Sequence, residues 1–174
     1  IICVPTPPAP SGGHDTSALQ STLLSLGQVR CLCPVLTMST VCPGTMARFA
    51  ALHPNLRLFH CPEFLSSATK EYDLLHCDRA MLGVTPGMPA AMIDRALTLL
   101  RRMHPNAVER IRVVKSSESE AAKLFCNVFY AIKVRTFAGF HAACGAMTSN
   151  ARDVPNYDTV QSLMVGQGWI NPMH

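Results

Sequence analysis

Charge is scarce in this chain: Lys, Arg, Asp and Glu make up 15% of its 174 residues, while 48% are hydrophobic. A free-standing domain normally carries more charge, so part of this surface is expected to be covered by further polypeptide or by another subunit. The net charge is +4, yet Arg101-Arg102 is the only adjacent basic pair, which leaves no basic stripe for a nucleic acid. No CxxC occurs among the eight cysteines, and Cys31-Leu32-Cys33 is a lone pair on one side of a strand-like run, so neither a metal site nor a disulfide framework is indicated. Most of the cysteines lie in apolar segments, where a reduced thiol behaves as a small buried hydrophobe. Reduced cysteines imply an intracellular, cytoplasmic compartment. The most apolar stretch, 121–140, is interrupted by Lys123, Asn127, Lys133 and Arg135, which argues against a membrane span. No initiator methionine precedes Ile1-Ile2-Cys3-Val4, which reads as a strand entered partway, and any targeting peptide would lie before it.

What is present alternates. Residues 1–4, 30–38, 56–60, 79–83 and 110–114 read as strands; 15–26, 43–52 and 89–103 read as helices, the last with Leu97, Leu100 and Met103 inward. Such alternation predicts an α/β sheet that is at least partly parallel. The pattern changes at Ser117-Glu118-Ser119-Glu120, which reads as a capping box in which Ser117 caps the Glu120 amide and Glu120 reaches back. One long helix over 117–147, a break at 148–155 and a shorter helix over 157–165 are predicted to follow, with apolar residues on nearly every face of the long one.

Four segments carry residues suited to chemistry. Val4-Pro5-Thr6-Pro7 ends a strand, where proline stops pairing and stiffens the turn. Ser39-Thr40-Val41-Cys42-Pro43-Gly44-Thr45 follows a strand and opens a helix, a geometry suited to a phosphate or a polarised water. Pro62-Glu63-Phe64-Leu65 follows another strand, where a carboxylate can act as a general base or hold a water. Lys123 and Asn127 are four apart on the long helix and share one face. In an open α/β sheet, ligands bind at the carboxyl ends of the strands, which is where the first three segments fall.

In this order and spacing, the four segments resemble the UDP-glucose/GDP-mannose dehydrogenase family, whose members oxidise a sugar C6 alcohol to a carboxylate with NAD and a cysteine. The resemblance implies the C-terminal half of a Rossmann-like NAD-binding domain over 1–116, followed by a long central helix and the start of a helical, dimer-forming domain over 117–174. It implies NAD contacts at Val4, Pro5, Thr6, Ser39 and Thr40. Catalytic roles fall to Thr40, Glu63, Lys123 and Asn127, and substrate contacts to Phe64, Leu65, Lys123 and Asn127. It implies a nucleotide sugar such as UDP-glucose as substrate, and a homodimer through the 117–147 helix. Its STVPPGT motif stands here as Ser39 to Thr45 with Cys42 for a proline; Met38 replaces a usual lysine, Cys61 an Asn or Ser, Ser67 a second glutamate, and Gly139-Phe140 an Asn-Glu. Neither the family's glycine fingerprint nor its Gly-Gly-x-Cys nucleophile motif occurs among these residues, although Gly168-Trp169-Ile170-Asn171-Pro172 resembles the segment preceding the latter.

Two functions follow. The first is a portion of an NAD-dependent nucleotide-sugar 6-dehydrogenase, inactive as the 174-residue chain alone because the pyrophosphate turn and the nucleophile are not in it. The second, drawn from the departures at Met38, Cys61, Ser67 and Gly139-Phe140, is a degenerate relative kept as a structural or assembly subunit.

Overall fold

The structure, a computed structural model, describes residues 1–65, 69–77, 79–147, 153–168 and 170, with Leu74 by its backbone only. Ser67, Asp78, Trp169, residues 148–152 of the expected break and the end from 171 onward lie outside them. The chain divides into two units, Ile1–Leu124 and Phe125–His174.

In the first unit the alternating pattern becomes α1 (Ser17–Gln28), β1 (Pro34–Thr37), α2 (Thr45–Leu52), β2 (Arg57–His60), α3 (Lys70–Leu75), β3 (Ala80–Val84), α4 (Ala90–Met103), a 3-10 turn (Pro105–Arg110), β4 (Ile111–Lys115) and the start of α5 (Ser116–Ala146). The sheet order is β1-β2-β3-β4. β1 and β2 run parallel with Thr37 opposite His60, β2 meets β3 antiparallel at His60 and Gly83, and β3 and β4 are parallel. This is a mixed, Rossmann-like α/β sheet.

Side-chain alternation along the strands sorts two cores. Val35 and Leu58 face one way, against Leu19 and Leu23 of α1 and Met46 and Phe49 of α2. Leu36, Phe59 and Leu82 face the other way, against Ala96 and Leu100 of α4, with Leu97 and Met103 packed at the margin. Burial on both faces explains why these strands read as continuous apolar runs. Truncating a fully buried leucine such as Leu100 to alanine costs roughly 2–5 kcal/mol, so these contacts hold the layers together.

Several expectations are corrected. Residues 1–4 form no strand; Ile2 alone bridges Thr37, its amide donating to the Leu36 carbonyl and its carbonyl accepting from Met38, and Pro5 and Pro7 follow directly. Residues 30–33 are not in β1, and Arg30 sits at φ 50°, a left-handed conformation that no strand contains. The capping box is displaced: the Lys115 amide donates to Glu118 Oε2 (2.8 Å), so Glu118 reaches back and Glu120 is released for another partner. Gly83 is required where it stands, because a Cβ there would overlap Ser119 Oγ and lie 2.9 Å from Ser119 Cβ.

The second unit holds the remainder of α5 and α6 (Tyr157–Gly166), the latter capped by Asn156, whose Oδ1 accepts from the Thr159 amide (3.0 Å). His141 of α5 meets Tyr157 edge-on at 4.9 Å, and Cys144 is buried nearby on the same helix. Phe125, Phe129 and Ile132, which fall on one face of α5, are 66%, 62% and 60% exposed. Among the described residues no helix is long and apolar enough to cross a membrane.

Candidate active site

Because β1 and β2 are parallel, the segments leaving them emerge at the same edge of the sheet. Thr40 and Glu63 each follow the paired residues Thr37 and His60 at the same offset, and one further bond, Cys61 amide to Thr37 carbonyl (2.8 Å), continues the pairing. The chain start joins the same edge. The Val4 amide donates to Ser39 Oγ (3.0 Å), Ser39 Oγ donates back to the Val4 carbonyl (2.7 Å), and Thr6 Oγ1 donates to the Thr40 carbonyl (2.6 Å). The proline-stiffened loop is thereby stitched to the loop carrying Thr40, with Pro5 and Pro7 exposed on its rim and Thr40 half-buried.

The Gly44 and Met46 amides at the start of α2, which the sequence offers to a phosphate or a polarised water, are taken by a side chain of the chain itself. Glu120, fully buried in the first turns of α5, accepts from the Met46 amide through Oε1 (2.7 Å) and from the Gly44 amide through Oε2 (2.5 Å). Gly44, at φ 91°, turns the backbone into the helix so that both amides face inward to one carboxylate. Burial pushes the Glu120 carboxyl up, against the downward pull of the two amides. Beside it, fully buried His60 places Nδ1 2.8 Å from Ser119 Oγ and Nε2 3.3 Å from the Ser39 carbonyl; burial brings its pKa down to about 4, against the Ser39 contact. Ser119 Oγ in turn donates to the Ser116 carbonyl (2.8 Å). Sequence reasoning missed both roles, and the available signal was an acidic residue set among small apolar ones on a helix that has to pack.

These bonds hold α5 against the edge, and one turn later the helix delivers Lys123. Its Nζ stands 5.2 Å from the centre of the Phe64 ring, a cation–π contact with the residue next to Glu63. Glu63 and Leu65 are half-buried and Phe64 exposed. Burial pushes the Cys61 thiol up to about 12, with Glu63, Cys77 and Cys3 adding to the effect, so Cys61 stays protonated and inert. The Cys3 thiol is also raised, by burial and then by the charge of Glu63. Val4, Pro5, Thr6, Ser39, Thr40, Glu63, Phe64, Leu65 and Lys123 all lie in the first unit; Asn127, exposed, belongs to the second. Met38, which stands where the resemblance leads one to expect lysine, packs into the core facing α4. All eight cysteines are free, and among the described residues no cluster of His, Cys, Asp and Glu could hold a metal ion.

A mixed α/β sheet with polar side chains converging at the carboxyl edge of two parallel strands defines a dinucleotide-binding class of fold. Residues 1–98 match the model of the UDP-glucose/GDP-mannose dehydrogenase family, NAD binding domain, and the chain belongs to that family. It is 29% identical to YtcA of Bacillus subtilis (strain 168) over 162 residues, covering 88% of this chain and 37% of that protein. It is 28% identical to the UDP-glucose 6-dehydrogenase of Streptococcus pneumoniae over 126 residues, covering 71% of this chain and 32% of that protein. The chain thus spans about a third of the length of these relatives. Among solved structures, the UDP-D-ManNAc dehydrogenase of Pyrococcus horikoshii has the same fold, with a TM-score of 0.76 at 19% identity over 98% of this chain and 40% of that one.

NAD is the cofactor that this domain family binds. The loops at this edge present an exposed rim of Pro5 and Pro7, the locked Val4 and Ser39 pair, and half-buried Thr40. They do not fit the pyrophosphate of NAD, because the α2 amides that could cradle one are taken by Glu120.

Proposed function

We propose that this chain is the part of an NAD-dependent nucleotide-sugar 6-dehydrogenase that positions the sugar and the cofactor's flank. Residues 1–116 act as the second half of the NAD-binding domain, and 117–174 as the beginning of the helical, dimer-forming one. When bound, NAD supplies a hydride acceptor. Val4, Pro5, Thr6, Ser39 and Thr40 pack along its side. The Glu63 carboxylate takes the proton from the sugar C6 hydroxyl or holds the water that later releases the acid, and the Thr40 hydroxyl orients that water. The Lys123 ammonium steadies the oxyanion that develops at C6, an electrostatic role best filled by a group fixed in advance. Phe64 and Leu65 wall the sugar in.

The observation that carries this reading is Lys123 seated over the ring of Phe64, beside Glu63, on a helix anchored one turn earlier by Glu120. A cation brought across the fold to a carboxylate-bearing loop has a use in oxyanion stabilisation. The buried, apolar Met38 and the inert Cys61 favour the second reading, a relative that keeps the scaffold and has lost turnover.

Converting an alcohol to a carboxylate removes four electrons, so the native protein should form two NADH for each UDP-glucose, GDP-mannose or other nucleotide sugar consumed. Absence of NADH with every such sugar would favour the scaffold reading. The 174-residue chain by itself should form none, since its sequence contains no glycine fingerprint to hold the pyrophosphate.

A further inference from the structure

We propose that Cys42 and His14 form a thiol–imidazole pair that reacts with small disulfides, making Cys42 a site of reversible S-thiolation. Cys42 Sγ lies 3.5 Å from His14 Nδ1, although 28 positions separate the two residues. The loop that brings His14 there is built for the purpose. Pro8 bridges His14 antiparallel, the Asp15 amide donates to the Pro7 carbonyl (2.8 Å), and the Ala9 amide donates to the Gly13 carbonyl (3.1 Å). Gly12 and Gly13 turn the tip at φ 89° and 76°, and a Cβ on Gly13 would stand 3.3 Å from Cys42 Sγ, so the backbone presses directly against the sulfur. Both residues are half-buried, partly open to solvent and yet held within the fold.

A helix start commonly activates a cysteine beside it through its free amides. Here the Gly44 and Met46 amides are bonded to the Glu120 carboxylate, so that source of positive potential is spent and His14 is the group left to take the thiol proton. The exchange balances without any other reagent. The Cys42 thiol passes its proton to His14 Nδ1 as Sγ attacks one sulfur of the disulfide; the new S–S bond forms, the old one breaks, and the departing thiolate takes the proton from His14 and leaves as a thiol. The protein sulfur is oxidised to a mixed disulfide and one half of the small disulfide is reduced. An excess of small thiol reverses it.

The test is the rate of oxidised-glutathione addition at each cysteine of the native protein at pH 7, followed by quenching and peptide mass mapping. Exposed Cys33 is the internal reference, its thiol held above the ordinary range chiefly by its bond with Cys31. Cys42 should be modified about tenfold faster than Cys33, and His14→Gln should remove most of that advantage while leaving Cys33 unchanged. Modification of Cys42 no faster than Cys33 in the unaltered protein would overturn the proposal without recourse to any variant. So would an undiminished Cys42 rate in His14→Gln.

Discussion

Glu120 and Met46 are joined across 74 positions by a 2.7 Å bond from the Met46 amide to the Glu120 carboxylate, and the Gly44 amide binds the other oxygen. One carboxylate thus fastens the helix that carries Lys123 to the loop that carries Thr40. The seating of the helix that carries Lys123 depends on an internal carboxyl group at a helix start.

Removing that carboxylate should loosen the edge. Glu120→Ala strands two amides in the interior and should lower stability by about 1–3 kcal/mol, while Glu120→Gln, able to accept one of the two bonds, should lose less. Burial raises this carboxyl above its ordinary 4.5, so the folded state holds the proton more tightly than the unfolded one. Its contribution is therefore full below about pH 4.5 and declines as pH rises through the folded pKa. Urea unfolding at pH 5 and pH 7 should show that decline in the parent and not in Glu120→Gln. An identical pH slope in both would contradict it.

His60 acts in the opposite sense. Its pKa falls from 6.5 to about 4 on folding, so its contribution is full above pH 6.5 and is lost as pH falls through about 4. The difference is worth roughly 3 kcal/mol. Thermal unfolding should therefore shift downward between pH 7 and pH 4.5 in the parent and shift much less in His60→Asn. Parallel shifts would assign the acid sensitivity elsewhere.

The exposed face of α5 bears on assembly. Phe125, Phe129 and Ile132 recur at helical spacing and are each at least 60% exposed, more apolar surface than a lone helix tolerates in water. A homodimer through this face is the expected form. Phe129→Glu should weaken it by about 100-fold or more, as removal of a central aromatic anchor does. Sedimentation equilibrium of the native protein and the variant measures this; a strictly monomeric parent would remove the dimer from the account.

Much of the fold was legible because its signals are local. Leu36 beside Val35 and Phe59 beside Leu58 mark strands covered on both faces, and Ala96, Leu97 and Leu100 mark the inward side of α4. Ile1-Ile2-Cys3-Val4 misled because its composition suits a strand, while the prolines that follow permit only one bridge. Glu120 was misread for a different reason. A Ser-x-x-Glu spacing describes a local cap, but the partners of this carboxylate lie 74 and 76 positions away, a distance that no local pattern encodes. For the same cause the start of α2 looked open to a phosphate. The candidate site residues were proposed from motif order, whereas the contact of Lys123 with Phe64 depends on how far along α5 the helix is pinned.

The most direct measurement is the steady-state rate of NADH formation from UDP-glucose, GDP-mannose and related nucleotide sugars by the native protein and by Lys123→Ala. If Lys123 stabilises the oxyanion at C6 from its seat over Phe64, kcat with the preferred sugar falls about 100-fold or more and KM changes much less. A kcat within about twofold of the parent, against the loss expected for an oxyanion donor, would contradict the account.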